Sequence, residues 1–207
     1  MHGQKPFIIF LNGVSSSGKT SIARALGYLL PAPTLLFGID NFLDLIPPGK
    51  MPEFFLFETE DDQDSRPITR ITSKPHGKTL CRSLAQTAKV LADSGFTLII
   101  NEVLLGTNKF AHYLEQLADH RVYFIGVHCD LATLEEREAV RGDRALGMAR
   151  EQIQHVHNPT RCYDFEVDTT HTVPFDCARQ ILEFVERTPE PTGFARCKEM
   201  LSASETA

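Results

Sequence analysis

The sequence has few cysteines, and their arrangement fits neither a disulfide framework nor a zinc site. Five cysteines are scattered through the 207 residues, their number is odd, and no two of them stand in C-x-x-C spacing. Disulfide-stapled domains and zinc modules show paired or regularly spaced cysteines instead. We therefore expect a protein with reduced thiols that works in the cytoplasm.

A basic excess and long apolar runs are also absent. Lysine and arginine together number 21 against 27 for aspartate and glutamate, so the formal net charge is −6. Without a polybasic region we expect neither nucleic acid nor an anionic membrane as a partner. No apolar run is long enough for a transmembrane helix, and we find no signal-peptide pattern, internal repeat or low-complexity tract. The expected partner is a small molecule, while the oligomeric state stays open.

What the sequence does contain is a phosphate-binding loop that fills every fixed position of the pattern G-x-x-x-x-G-K-[ST]. The loop consists of Gly13, Val14, Ser15, Ser16, Ser17, Gly18, Lys19 and Thr20. The apolar run 7–11 before it predicts a buried strand, and the apolar spacing over 21–30 predicts a helix after it. The strand-loop-helix setting that gives this motif its meaning is therefore present.

The chemistry of this loop indicates a nucleotide triphosphate and magnesium. Gly13 and Gly18 let the backbone approach a polyphosphate, so that backbone N–H groups and the positive end of the next helix point at the anion. Lys19 is expected to reach the β- and γ-phosphates, and the Thr20 hydroxyl to ligate Mg²⁺. The alternative is a serine-rich turn that caps an ordinary helix, and the flanking elements favour ATP and Mg²⁺ over it.

The alternation of apolar runs with amphipathic segments predicts an α/β protein with a three-layer P-loop NTPase fold. After the run at 7–11, further strands are predicted at 35–39, 96–100, 122–127 and 165–168, with helices at 21–30, 41–46, 76–94, 107–118, 148–157 and 174–185 and one that starts at 130. We expect a five-stranded parallel sheet flanked by helices, in one kinase domain over residues 1–187. The segment 188–207, with its prolines and small residues, is expected to be a peripheral and frayed tail.

The segment 47–75 interrupts this alternation. It contains five prolines and an acidic run, and it predicts a hairpin of about 53–58 and 66–72 with a solvated acidic tip. An insertion near the ligand-binding edge of the sheet can act as a cap over an acceptor, and an ordinary surface loop is the alternative.

Two carboxylates follow predicted strands at the edge where open α/β sheets bind ligands. Asp40 follows the second strand and Glu102 ends the third. Asp40 is a candidate catalytic residue, and Glu102 is a candidate metal ligand, directly or through water. The alternative for each is a helix cap. Which of the two lies nearer the metal stays open.

Three arginines late in the chain predict a lid over the phosphates, at about 137–150. Arg141 and Arg144 share a helical face if the helix that starts near Asp130 continues, although Gly142 indicates that it ends there. Arginine forks suit triphosphate oxygens, and a lid that excludes water protects a phosphoryl donor from hydrolysis. Arg137, one turn earlier, is a further candidate nucleotide contact. A solvated charged helix is the alternative.

Several stretches, taken in order, resemble the chloramphenicol phosphotransferase family. They are IFLNG at 9–13, SSSGK at 15–19, FGID at 37–40, VLLG at 103–106, GVHCD at 126–130, RGDR at 141–144 and YDFEVDTTH at 163–171. The resemblance spans about residues 7–185. It implies ATP-dependent phosphorylation of a hydroxyl on a small molecule, with chloramphenicol in the family's named case and antibiotic resistance as a possible consequence.

The resemblance also implies roles for particular residues. Asp40 matches the general base of the family, Lys19 and Thr20 its nucleotide and metal contacts, and Arg141 and Arg144 its lid arginines. In the family's named member a pair of aspartates stands where this chain has Asn101 and Glu102, and the segment 47–75 does not match. The reaction type therefore follows more firmly than the substrate, and a hydroxylated metabolite is as good a candidate as the drug.

Two other functions remain open at this point. A nucleoside, nucleotide or shikimate-type kinase would need acceptor-binding arginines near Asp40, and the nearest in sequence are Arg66 and Arg70. A non-catalytic ATP-binding module would have no physical need for a base at Asp40. A GTPase is disfavoured because no N-K-x-D guanine-specificity motif occurs.

Overall fold

A computed structural model describes residues 6–142 and 145–204. The strands are β1 (Ile8–Gly13), β2 (Thr34–Gly38), β3 (Phe55–Asp61), β4 (Pro67–Ser73), β5 (Thr97–Glu102), β6 (Val122–His128) and β7 (Phe165–Asp168). The helices are α1 (Lys19–Leu29), α2 (Ile39–Leu43), α3 (Met51–Phe54), α4 (Pro75–Asp93), α5 (Thr107–Gln116), α6 (Leu131–Arg141), α7 (Met148–Val156), α8 (Pro174–Arg187) and α9 (Gly193–Ser204).

Five of the strands form the predicted parallel sheet, in the order β2-β5-β1-β6-β7. The central strand β1 is buried along its whole length, which explains why it reads as a continuous apolar run rather than as an alternating one. Asn12, near its end, lies beside Glu102 of β5 and Gly126 of β6. The carboxyl ends of three strands therefore meet at one edge.

Helices cover both faces of this sheet, so the protein has the three expected layers. On one face, Phe10, Ile100 and Phe124 pack with residues of α4, α5 and α9. On the other, Leu11 and Ile125 pack with residues of α1 and α8. Since neighbouring strand residues point to opposite faces, the three central strands β5, β1 and β6 contribute to both cores. The prediction of the fold class is confirmed. No helix in the described ranges is long and apolar enough to cross a bilayer.

The segment 47–75 forms the helical turn α3 and the antiparallel hairpin β3-β4, which pairs Phe55 with Ser73 and Asp61 with Pro67. The first strand begins two residues later than predicted and ends three residues later, and the second is shifted by one residue. The acidic tip of the hairpin is not simply solvated, because the Asp62 carboxylate accepts hydrogen bonds from the backbone of Asp64 and Arg66 and lies 3.2 Å from Arg150 of α7.

The prediction of a peripheral tail is wrong, because residues 193–204 form helix α9 against the sheet. The Phe194 ring lies 5.4 Å from the rings of Phe10 and Phe124 and 5.6 Å from that of Phe110, centre to centre. One turn later, Cys197 is fully buried. Aromatic pairs at these distances bury a large apolar area, and this outweighs the weak amphipathic pattern of the helix.

Candidate functional site

The phosphate-binding loop connects β1 to α1, as its sequence predicts. Ser16 and Gly18 have positive φ angles, 64° and 84°, which turn successive backbone N–H groups toward the same space. A Cβ atom on Gly13 would lie 2.5 Å from the carbonyl oxygen of Val127, so only glycine fits there. Helix α1 begins directly after Gly18 and points its positive end at that space. The backbone therefore forms an anion-binding cradle.

Lys19 lies inside this cradle rather than in solvent. Its side chain is largely buried, with 6% of the residue exposed, and its Nζ donates to the carbonyl oxygen of Val14 at 2.7 Å. The Ser16 hydroxyl oxygen is buried and has no hydrogen-bond partner within the described parts of the chain. A buried cation beside an unsatisfied hydroxyl is a setting that fits a polyphosphate.

The loop forms one side of a cleft of about 320 Å³. Its lining comprises Ser15, Ser16, Gly18, Lys19, Thr20, Ser21, Ile39, Asp40, Asn101, Val103, Arg137, Arg141 and Pro174. The predicted site residues Lys19, Thr20, Asp40, Arg137 and Arg141 therefore line a single cavity although they come from three separate segments.

Asp40 is delivered to the cleft by the β2-α2 junction. It is the second residue of α2, and Gly38 takes the N-cap position that the capping alternative reserved for Asp40. Asp40 thus lines the same cleft as the loop and helix α6.

Glu102 does not reach the cleft, and the prediction that it is a metal ligand is wrong. It is fully buried; one carboxylate oxygen accepts a hydrogen bond from the Tyr113 hydroxyl at 2.8 Å, and the other is paired with Lys109. Its neighbour Asn101 faces the cleft and donates to the Thr20 hydroxyl at 2.9 Å. The reason is the two-residue period of the strand, which sends adjacent side chains to opposite faces.

Magnesium fits the donors that remain. Among residues 6–142 and 145–204 there is no cluster of three or more His, Cys, Asp or Glu side chains that could hold a metal ion. Mg²⁺ in kinase sites is bound by one or two protein oxygens together with substrate phosphates and water. The Thr20 hydroxyl, which lines the cleft, supplies an oxygen of this kind.

Helix α6 contributes two arginines to the lining of the cleft. Arg137 donates to the backbone oxygen of Thr169 at 2.8 Å and to its hydroxyl at 3.2 Å. The Thr169 hydroxyl also lies 2.9 Å from the backbone oxygen of Ser17, so the guanidinium is fixed relative to the loop. Arg141 ends the helix, which Gly142 terminates with φ 65° as predicted. Arg144 lies outside the described residues.

The sequence reading missed several residues that hold the site together. Asn12 is fully buried at the end of β1, donates to the Tyr163 hydroxyl at 2.7 Å and accepts from the backbone of Leu104 at 3.0 Å. Gln152 of α7 accepts from the backbone N–H of Ser15 at 2.8 Å. These contacts join positions far apart in the chain, so no local spacing rule signals them.

A histidine beneath the loop is kept neutral by its surroundings. Burial, and after it the charge on His128, lowers the pKa of His157 to about 4. Burial also raises the pKa of Tyr163, so this phenol keeps its proton. Because Asn12 donates to the Tyr163 oxygen, the Tyr163 hydroxyl is free to donate to Nδ1 of His157, 2.8 Å away. The end of β1, from which the loop starts, is therefore held by an uncharged hydrogen-bonded chain of Asn12, Tyr163 and His157.

Comparison with known proteins agrees with this geometry. A family model described as chloramphenicol phosphotransferase-like protein matches residues 6–186. Two proteins of Mycobacterium tuberculosis, from strains CDC 1551 and H37Rv, carry the provisional name O-phosphotransferase. Each is 29% identical to this chain over 198 residues, which cover 93% of this chain and 88% of the relative.

Solved kinases share the fold. A sugar kinase from Janibacter sp. HTCC2649 has a TM-score of 0.61 at 18% identity, covering 89% of this chain and 96% of the other. The APS kinase of Mycobacterium tuberculosis, solved with AMPPNP and APS, has 0.60 at 15%, covering 88% and 98%. A gluconokinase from Sinorhizobium meliloti 1021 has 0.54 at 20%, covering 97% and 98%. At these identities the likeness shows the fold alone, which is that of P-loop kinases.

Proposed function

The chain belongs to the chloramphenicol phosphotransferase-like family, and on this premise we propose that it transfers the γ-phosphoryl group of ATP to a hydroxyl group of a small molecule. The observation that carries the proposal is the cleft, in which the loop lysine, the Asp40 carboxylate and two arginines line one cavity of about 320 Å³. A phosphate donor needs the lysine and the arginines, and a hydroxyl acceptor needs the carboxylate.

On the donor side, Lys19 and the backbone N–H groups of the loop hold the β- and γ-phosphates of ATP. Thr20 would hold Mg²⁺ together with phosphate oxygens and water, and the ion would supply positive charge that offsets the charge of the phosphates. Arg137, fixed by Thr169, and Arg141 are positioned to bind equatorial oxygens of the γ-phosphoryl group. Arg144 is proposed to join them as a lid residue on sequence grounds alone.

On the acceptor side, Asp40 accepts the proton of the attacking hydroxyl. As the acceptor oxygen forms its bond to the γ-phosphorus, the bond from phosphorus to the bridging oxygen of ADP breaks, and ADP leaves with that electron pair. Asp40 lines the same cleft as Arg137 and Arg141, so a hydroxyl beside it would share that cleft with the γ-phosphoryl group that the arginines are proposed to bind. The products are ADP and the phosphorylated acceptor.

The acceptor belongs to the class of small hydroxylated molecules. The family description names chloramphenicol, the mycobacterial relatives carry the name O-phosphotransferase, and two of the fold neighbours are a sugar kinase and a gluconokinase. We propose chloramphenicol and hydroxylated metabolites as the two groups to test. At Asn101 and in the hairpin this chain departs from the family pattern, and these differences favour neither group of acceptors over the other.

The arginines that a nucleotide-type acceptor would require are paired with carboxylates of this chain. Arg66 lies 3.4 Å from Asp64, and Arg70 lies 3.6 Å from Glu151. An acceptor phosphate would have to compete with these carboxylates, which disfavours a nucleotide kinase.

The test is a mass-spectrometric screen of hydroxylated acceptors, including chloramphenicol, with the full chain, ATP and Mg²⁺. We expect one acceptor or more to gain the mass of a phosphoryl group, in an amount that grows with time and requires Lys19. Binding of ATP with slow hydrolysis, and no phosphorylated acceptor from any class, would contradict the proposal and favour the non-catalytic ATP-binding module.

A further inference from the structure

We propose that helix α7 couples the hairpin β3-β4 to the phosphate-binding loop, with Gln152 as the positioning residue at the loop end. The inference deepens the proposed function, in which the loop holds the donor, and it takes the hairpin as the cap over the acceptor that is one of the two predictions for the segment 47–75. Its basis is that residues directly before α7 hydrogen-bond to the hairpin, that Gln152 and Val156 of α7 hydrogen-bond to the loop and to β1, and that the first turn of α7 is capped from α6.

At the loop end, two contacts join α7 to the strand and loop that cradle phosphate. The amide oxygen of Gln152, a residue that is only 3% exposed, accepts from the Ser15 backbone N–H at 2.8 Å. One turn later, the backbone oxygen of Val156 accepts from the Asn12 side chain at 3.2 Å. Removal of the Gln152 oxygen would take this acceptor from the buried N–H of Ser15. The loss of a hydrogen bond costs more free energy for a buried N–H than for one that water can reach.

At the hairpin end, β4 pairs with the residues that open α7. The backbone N–H of Thr69 donates to Gly147 at 3.1 Å, and its hydroxyl lies 2.6 Å from the carbonyl oxygen of Leu146. Thr69 is 1% exposed, and Gly147 packs so closely on Pro67 that a Cβ atom there would overlap the Pro67 carbonyl. With φ 84°, Gly147 is also in a conformation that favours glycine.

Between these ends, α7 is held as a single element. The buried Glu138 carboxylate of α6 accepts from the backbone of Gly147 at 2.7 Å and of Ala149 at 3.0 Å, which caps the first turn of α7. Arg150 then pairs with Asp62 at the hairpin tip and with Glu135 of α6. A shift of the hairpin therefore moves the start of α7, and a rigid helix carries that shift to Gln152.

The consequence is a coupling between acceptor side and donor side. A loop already held in shape binds polyphosphate without an ordering cost, so its affinity depends on Gln152 and, through α7, on Thr69. Since coupling between sites is reciprocal, a nucleotide in the loop stabilises the hairpin by the same free energy.

The experiment compares five single variants of the full chain and one double variant. Gln152→Met removes the amide oxygen at similar length, and Thr69→Val removes the hydroxyl at similar shape. Gln154→Met, on the exposed side of α7, and Thr72→Val, exposed on β4, are the matched controls. The readouts are hydrogen exchange of residues 13–20 without nucleotide and the affinity for ATP with Mg²⁺ by calorimetry.

We expect faster exchange in the loop than in the wild type for Gln152→Met and for the distant Thr69→Val. The two controls should exchange at the wild-type rate. Gln152→Met should weaken ATP binding by about tenfold, the cost of one lost buried hydrogen bond. The double variant should lose less than the product of the two single effects, because both act through α7. Gln152→Glu keeps an acceptor oxygen and should restore the slow exchange.

Three results would overturn the inference: loop exchange that Thr69→Val leaves unchanged, single effects that multiply in the double variant, or an ATP affinity that Gln152→Met raises. A purely structural role would lower the melting temperature without the exchange pattern and the non-additivity. Failure of the proposed function can be distinguished, because the exchange measurement needs no nucleotide. If the wild type binds no ATP but Thr69→Val still speeds exchange in the loop, only the proposed function is contradicted.

Discussion

Two oppositely charged side chains, Lys19 and Asp40, line the same cleft and define its chemistry at the scale of single residues. Lys19 is held by the loop itself, through its bond to Val14, and so stands ready for an anion. Asp40 is positioned by the start of α2, where a short helix follows a strand. The first serves the donor in our proposal, and the second serves the acceptor.

The Asp40→Asn variant is expected to bind ATP as the wild type does but to transfer phosphate more slowly by a factor on the order of 10²–10⁴. The amide keeps the shape of the side chain and cannot accept the proton. Turnover on the acceptor found in the screen and ATP affinity by calorimetry measure the two effects. Asp44→Asn, exposed at the end of the same helix, is the control. Unchanged turnover in Asp40→Asn would remove Asp40 from its proposed role.

His157 gives a pH dependence of folding. Its pKa is lowered to about 4 in the folded protein, against about 6.5 in an unfolded chain. Between these values the unfolded chain binds a proton that the folded protein does not, so the free energy of unfolding falls as the pH drops from 6.5 toward 4 and is recovered above 6.5.

We therefore expect the denaturant midpoint of His157→Asn to depend less on pH between 7 and 4.5 than that of the wild type. His155→Asn, on the exposed side of the same segment, should keep the wild-type slope. Equal slopes in the wild type and in His157→Asn would show that folding does not lower the pKa of this ring.

At the scale of elements, α9 completes the core that α4 and α5 begin. Phe194 contacts rings from β1, α5 and β6, and it closes the layer on that face of the sheet. A helix that adds this much buried aromatic area is part of the folding unit rather than an appendage.

Phe194→Ala should destabilise the protein by about 3–5 kcal/mol, because it leaves a cavity among aromatic rings. Phe175→Ala, at a half-exposed position of α8, should change the free energy of unfolding by less than about 1 kcal/mol. Urea unfolding of both variants measures the difference. A loss for Phe194→Ala no larger than for Phe175→Ala would mean that α9 is not docked in solution.

The sequence predicted the elements better than their detailed contacts. The buried strands and the loop carry local patterns, and these placed the sheet and the cradle. Glu102 was misassigned because the face of a strand's last residue depends on its register, which no local spacing shows. Thr169 and Gln152 were missed because their loop partners lie 152 and 137 positions away. Helix α9, which carries Phe194, has too weak an apolar periodicity to predict a packed helix.

At the scale of the whole molecule, the sheet edge brings the donor and acceptor elements into one cleft. Lining residues come from the loop after β1, from the start of α2 and from helix α6. Ligands in open α/β folds bind at this edge, because the chain there consists of loops that follow strands. Nucleotide binding should therefore stabilise the entire fold rather than a single segment.

ATP with Mg²⁺, at about a hundred times its dissociation constant, should stabilise the wild type by about 2.7 kcal/mol and raise its melting temperature by several degrees. Lys19→Met should lose this shift, since the loop then lacks its cation. Lys78→Met, exposed on α4, should keep it. Thermal unfolding with and without nucleotide checks the prediction, and an equal shift in Lys19→Met would contradict the assignment of the loop.

The most direct test of phosphoryl transfer to a hydroxyl is the stoichiometry of a single turnover. The full chain, in excess over ATP, is mixed with Mg²⁺ and the acceptor found in the screen, and ADP and phosphorylated acceptor are quantified together by mass spectrometry. We predict one phosphorylated acceptor for each ADP formed, with the phosphate on a hydroxyl oxygen. Formation of ADP and free phosphate without phosphorylated acceptor would contradict the proposed function.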